Sequence, residues 1–226
     1  MRERRPLPLF AGAGFRGHVA APGAAVVVVF MGVFMWAVAG SRCLPPGGAS
    51  VVSFALAAVS PSVVSVGCCL GADAVALGCL APSRLRVFAA FGPRGVGACR
   101  WSAVAAVSVC AALGAPVSWW AGGGLAVPLA ARLAGRTRAV VSAASSGLLL
   151  FPSAPLSRGS WLAARLALAR GLPVVAFPLG FAPEQLPALG PGAWQPAPWR
   201  GGWRWAPAEL LSACGGLPHD RQSLFA

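Results

Sequence analysis

The sequence predicts an α/β fold, a Rossmann-like and mainly parallel sheet of about six strands flanked by helices. Two segments carry the prediction: Val38-Ala39-Gly40-Ser41-Arg42, and Gly147 to Pro152 followed by Ser157-Arg158-Gly159-Ser160. Each is an apolar run that stops at small residues and enters a helix-compatible stretch, the arrangement by which a parallel sheet offers backbone N–H groups to a phosphate. The third observation is rhythm. Apolar, β-branched runs alternate with helix-compatible stretches bounded by Gly or Pro, and the crossover connections this implies favour parallel pairing.

Taken in order, Phe34 to Ala39 reads as a buried strand and Gly40-Ser41-Arg42 as the turn after it. Ala49 to Val59 is helix-compatible and Pro61 marks its end. Ser62 to Val66 is a second strand closed by Gly67, and Cys68 to Leu80 a loop and helix containing Gly71-Ala72-Asp73. Leu85 to Ala90 forms a third strand, Arg100 to Leu113 a helix stopped by Gly114, and Val117 to Trp120 a fourth strand before the triple glycine Gly122 to Gly124. Pro128 to Ala144 is a longer helix projecting Arg132 and Arg136 on one face, since they stand four apart. Gly147 to Phe151 is the fifth strand, Ser160 to Arg170 a helix stopped by Gly171, and Val174 to Phe177 the sixth strand.

Beyond Gly180 the pattern dissolves. Trp194, Trp199, Trp203 and Trp205 interleave with Arg200 and Arg204, a mixture that offers stacking surfaces to bases but better suits aromatics packed over the edge of the sheet. The expected organisation is a basic, disordered tail over 1–24, a Rossmann-like domain over 25–180, and a Pro/Gly/Trp-rich extension over 181–226.

Composition limits how far single residues can be interpreted. The chain has no Lys, Tyr, Ile or Asn and a single Thr, Thr137. The four absent types have AT-rich codons, so a GC-rich coding sequence explains Arg in place of Lys. An unselected reading frame shares that bias but would have to produce the ordered motifs below by accident. Net charge is +13, and between Asp73 and Glu184 there are ten Arg and no acid. Such a field favours anionic partners, nucleotides or nucleic acid.

The seven Cys form no CxxC pair and have no His at ligand spacing, so neither a disulfide framework nor a zinc site is expected. Vicinal Cys68-Cys69 reads as two small residues beginning a loop. His18 and His219 lie in the tails, outside any recognisable catalytic motif. The competing reading is a membrane span. Ala20 to Gly40 holds no charge and follows a basic segment. Pro22, Gly23, Gly32, the cluster Val26 to Val29 and the Val-Ala-Gly-Ser-Arg ending suit a buried strand running into a turn instead. No small-residue cleavage site marks a signal peptide, and the expected location is cytoplasmic.

Ala37-Val-Ala-Gly-Ser-Arg42 and Ser65-Val-Gly-Cys-Cys-Leu-Gly-Ala-Asp-Ala-Val-Ala76 resemble the paired "TGSR" and "GGARGxDxxA" segments of DNA-processing protein A and its relatives. That group belongs to the SLOG superfamily of Rossmann-like proteins, which includes the "lonely guy" phosphoribohydrolases. Arg132-Leu-Ala-Gly-Arg136-Thr-Arg138-Ala-Val-Val, followed by Ser146-Gly-Leu-Leu-Leu-Phe-Pro152, is similar to the family's Arg-rich helix and "vvafPgg" strand. Ser157-Arg-Gly-Ser-Trp161 and Arg170-Gly-Leu-Pro-Val-Val-Ala-Phe-Pro178 resemble its "GT" helix start and "rGiPV" strand. The likeness runs over about residues 33–180 in the family's order. It departs where the phosphoribohydrolases carry "PGGxGTxxE", because Phe151 to Ala163 contains no carboxylate.

The resemblance implies a nucleotide-binding protein of the DNA-processing-A type that also takes single-stranded DNA. Expected phosphate- and ligand-binding residues are Gly40, Ser41, Arg42, Gly67, Gly71, Asp73, Gly122, Gly123, Gly159 and Ser160, at the carboxyl ends of the strands. Expected nucleic-acid contacts are Arg132, Arg136 and Arg138. No metal, cofactor or catalytic constellation is expected, since Asp73 is the only acid in the matched region and paired-carboxylate chemistry needs two. The partners expected are a nucleotide or nucleotide-derived small molecule, single-stranded DNA and a second copy of the chain. The alternatives are a membrane protein with N-terminal spans and a degenerate nucleotide phosphoribohydrolase.

Overall fold

Strand β1 (Met35–Gly40) shows why these runs become parallel strands. Val38 is buried against one layer of helices and Ala37 and Ala39 against the other. A strand apolar on both faces needs a cover on each side, which an α/β sandwich supplies. The computed structural model describes residues 34–98 and 100–213, and the tail 1–24, both histidines and the part of the charge-free run before Phe34 lie outside them. The last six residues of that run are β1, paired on both sides in the sheet, so a span reaching Gly40 is ruled out. Among the described residues no helix is long and apolar enough to cross a membrane.

The remaining elements follow in chain order. They are α1 (Gly48–Ala58), β2 (Val63–Val66), α2 (Ala72–Cys79), β3 (Leu85–Phe88), α3 (Trp101–Ala112) and β4 (Val117–Ser118). After them come α4 (Leu129–Ala143), β5 (Gly147–Phe151), α5 (Arg158–Leu168) and β6 (Val174–Ala176). The chain then makes an antiparallel hairpin, β7 (Gly192–Pro196) and β8 (Trp203–Pro207), and ends its described part in α6 (Ala208–Ala213).

These strands form one eight-stranded sheet in the order β4-β3-β2-β1-β5-β6-β8-β7. The first six strands are parallel, while β8 joins β6 antiparallel. From β1 the chain steps outward through β2, β3 and β4, then returns through α4 to lay β5 on the other side of β1. That reversal opens a crevice at the carboxyl ends of β1 and β5, the place where open α/β sheets take ligands. Helices α1, α2 and α3 pack with Val38, Val64, Val87, Leu149 and Phe151 in one core. Helices α4 and α5 cover Ala37, Leu148, Leu150 and Val174 on the opposite face. Buried Ser65 on β2 spends its hydroxyl on the Val140 carbonyl of α4 at 2.8 Å, which satisfies a polar group the core could not leave unpaired.

The hairpin is where the sequence reading fell short. Pro and Gly obscured the alternation, so 181 onward read as an extension, whereas β8 continues the sheet from β6. Its Trp205 is 4% exposed and meets Trp194 edge-on at 5.3 Å, and Trp194 meets Trp161 of α5 at 6.4 Å. Truncating Trp205 to Ala empties that cluster, and urea unfolding is expected to show a loss of about 3–5 kcal/mol.

Candidate phosphate-binding crevice

At the switch point the backbone itself closes the bottom of the crevice. Ser41 N–H donates to the Phe151 carbonyl at 2.9 Å, tying the end of β1 to the end of β5. The Ser41 hydroxyl accepts from Ser153 N–H at 2.8 Å and lies 3.4 Å from the Ser157 hydroxyl. The Ser41 carbonyl in turn accepts from Ala72 N–H at 3.2 Å, so the start of α2 is held against the same turn. Gly71 must be glycine here: its φ is +72°, and a Cβ would overlap the Ser41 carbonyl. Gly40 is equally constrained, since a Cβ would stand 2.6 Å from that of Ala72.

Above this floor lies a cleft of about 510 Å³ lined by Gly40, Arg42, Cys69, Arg136, Arg158 and Gly159 among others. A smaller cavity of about 200 Å³, mostly apolar, adjoins it over the ends of β2 and β3, and the two share Arg42, Cys69, Leu129 and Leu133. Arg42 and Arg158 are exposed, and Gly159 has open space where a side chain would go. Helix α5 begins at Arg158, so the N–H groups of its first turn lie at the rim, where the helix dipole favours an anion.

Asp73 and Arg136 meet in the wall of the cleft. The Arg136 guanidinium donates to the Asp73 carboxylate at 3.2 Å, with side-chain exposures of 9% and 4%. Cys69 N–H donates to the same carboxylate oxygen at 3.0 Å, and a second Arg136 nitrogen reaches the Cys69 sulfur at 2.8 Å. Burial pushes the Asp73 carboxyl up, against the pull of Arg136, the Cys69 N–H and Arg42. Burial works against the charge on Arg136, but Asp73 and the two cysteines outweigh it and its pKa rises, so the guanidinium stays charged. The Cys69 thiol is lowered to about 7 by a hydrogen bond from Cys68 and by Arg136, against its burial. Cys68 moves the opposite way, raised by that hydrogen bond and by burial.

The predicted residues divide sharply. Gly40, Arg42, Asp73, Arg136 and Gly159 line the cleft together. Ser41 and Gly71 build its floor, and Gly67 lies behind Arg136, where a Cβ would overlap the guanidinium. Gly122 and Gly123 lie elsewhere: Gly122 packs on the backbone of α4 at Arg132 and Gly123 turns the chain at φ +109°. Ser160 is buried inside the first turn of α5, whose N-cap is Ser157.

Two of the three expected nucleic-acid arginines are buried. Arg132 and Arg136 do share one face of α4, but it is the buried face, continued by Val140. Arg132 donates to the carbonyls of Ala90, Gly97 and Val127 at 2.9–3.1 Å and stacks over Trp120, which consumes its guanidinium. Arg138 is exposed. Spacing alone shows that two residues share a face; the apolar Val140 one step further was the sign that this face turns inward. Arg158 and Cys69 also line the cleft and are not among the residues expected from sequence, since neither stands in a motif that marks it apart from its small neighbours.

No family model matches the chain, and no curated protein sequence matches it. Solved structures do. DNA processing protein A from Streptococcus pneumoniae superposes with a TM-score of 0.51 at 20% identity, over 68% of this chain and 53% of that one. The chain shares the fold of DNA processing protein A. The Helicobacter pylori protein of that name, described for its single-stranded DNA binding mode, aligns at 18% identity with a TM-score of 0.49, over 63% of this chain and 64% of its own. The chain thus spans about half of the S. pneumoniae protein and under two thirds of the H. pylori one.

Replacing Arg136 with Ala leaves Asp73 buried without its partner. Denaturant unfolding is expected to register a loss of about 3–5 kcal/mol, the cost of breaking a buried pair from one side.

Proposed function

We propose that the chain is a binding protein for phosphorylated ligands of the nucleotide class, which it takes at the crevice between β1 and β5. The observation that carries this reading is the charge balance of the cleft. Arg42 and Arg158 present exposed guanidinium groups at its rim, while the carboxylate in its wall, Asp73, is bonded to Arg136. The cleft is therefore net positive, with backbone N–H groups and an open Gly159 beside it, a combination suited to phosphate oxygens. The adjoining apolar cavity, floored by Phe91 and Leu133, gives a base or sugar an uncharged place to rest.

Binding rather than catalysis is the activity this geometry favours. Acid–base hydrolysis needs a carboxylate free to exchange protons, and Asp73 is held by two donors. In this protein Arg42→Ala is expected to weaken binding of a nucleoside triphosphate by about 1.5–3 kcal/mol, roughly 10- to 100-fold, in isothermal titration. Gly159→Val is expected to abolish that binding by filling the rim while thermal unfolding stays unchanged. Normal affinity in both variants would refute the site.

A second reading, single-stranded DNA, is favoured by Arg94, Arg100 and Arg138, exposed arginines without an acid between Asp73 and Glu184. The likeness to the DNA-processing family points the same way. Salt separates the two readings. A strand lying across several arginines loses affinity steeply between low and physiological salt, with a slope of about 0.7 per phosphate contact, whereas a pocket ligand loses far less. With oligothymidine, Arg100→Ala and Arg138→Ala are each expected to lower that slope by about one contact in fluorescence anisotropy. A slope near zero at low salt would leave the pocket ligand as the only reading.

A further inference from the structure

We propose that Cys69 is a reactive thiolate site in the wall of the crevice, a modification site for small electrophiles of the hydroperoxide class, independent of what the crevice binds. Four features of the structure place it there. Cys69 borders both cavities, so a small molecule reaches it from either side. Its sulfur takes a hydrogen bond from Arg136 at 2.8 Å, and the Asp73 oxygen bonded to that guanidinium also accepts from the Cys69 backbone N–H, which fixes the loop beside it. Arg136 is more than nine-tenths buried, lines the same cleft, and keeps its Nε without a hydrogen-bond partner among the described residues. The adjoining thiol, Cys68, is buried and accepts from Ala90 N–H at 3.3 Å, which leaves Cys69 the more accessible of the two.

Thiolates rather than thiols are nucleophiles, and a thiolate between cationic donors is the recurrent environment of reactive cysteines. The arrangement specifies the chemistry. The Cys69 sulfur donates an electron pair to one oxygen of a hydroperoxide, the O–O bond breaks, and hydroxide or alkoxide leaves with the other oxygen. Sulfur is oxidised to a sulfenic acid and the peroxide is reduced; the departing anion takes a proton from water. Guanidinium groups of Arg136 and Arg42 line the same cleft, and preorganised donors near a developing negative charge lower the barrier. Metal capture is a different outcome, and no group of three or more His, Cys, Asp and Glu among the described residues is placed to hold a metal ion.

The experiment is iodoacetamide alkylation of the whole protein across pH 5.5–10, quantified at the Cys69 peptide by mass spectrometry, in buffer and again in urea. The folded protein is expected to show a rate midpoint near pH 7, moving to about 8.5 in urea, the value of a free cysteine. At pH 7 the thiolate fraction is about half against about 3%, but the weaker intrinsic nucleophilicity of a more acidic thiol returns about fivefold, so the rate gain is only about threefold and the midpoint is the decisive reading. Hydrogen peroxide followed by dimedone is expected to label Cys69, and Cys69→Ser, which preserves volume, to remove that label. The same midpoint folded and unfolded, or dimedone label spread equally over all cysteines, would overturn the proposal. Neither measurement uses a nucleotide or DNA, so failure of the proposed ligand leaves this test intact.

Discussion

The contact between Asp73 and Arg136 joins three parts of the molecule that would otherwise be independent. Asp73 stands in the first turn of α2 on one face of the sheet, Arg136 on α4 on the other, and the backbone N–H of Cys69 belongs to the loop after β2. Bringing an acid and a base together at the carboxyl edge of the sheet costs desolvation on both sides, which the direct bond and the Cys69 N–H offset. The pair also sets the electrostatics of the crevice. Asp73, the acid in the cleft wall, is already bonded to Arg136, which leaves the guanidinium groups of Arg42 and Arg158 in excess, and the sulfur of Cys69 sits against the Arg136 guanidinium.

Glycine makes that geometry feasible. The crevice requires α2, β1, β5 and α4 to converge within contact distance at one edge, and Gly40, Gly67 and Gly71 are the positions where a methyl group would collide with Ala72, Arg136 or the Ser41 carbonyl. These residues support a phosphate site indirectly, by letting the walls close. Of the four glycines at the crevice, Gly40, Gly67, Gly71 and Gly159, it is Gly159 that faces open space and leaves room for something not in the chain.

Arginine illustrates the opposite problem. GC-rich coding makes Arg the default basic residue, so a count of positive charges says little about which of them meet solvent. Arg132 and Arg136 are structural, the first fastened to three carbonyls and the second to a carboxylate. Arg170 caps the end of α4 through the Val141 and Ala144 carbonyls. What is left facing outward around the crevice is Arg42, Arg100 and Arg158, a smaller and more specific set than the sequence shows.

Sequence by itself determined the alternation of strands and helices, because an apolar run that is β-branched and ends at small residues has few alternatives to a buried parallel strand. The order of β1 to β6 and the turn at Gly40-Ser41-Arg42 were legible for that reason. The hairpin β7–β8 was not, since Pro and Gly mask period-two alternation and its strands are held by β6 and by Trp205 packing rather than by local propensity. Side-chain direction was equally beyond reach. Helical spacing put Arg132 and Arg136 on one face, but only the packing of α4 on the sheet decided that the face points inward, where Arg136 meets the Asp73 carboxylate. The crevice depends on contacts between residues distant in the chain, and those are set by tertiary structure alone.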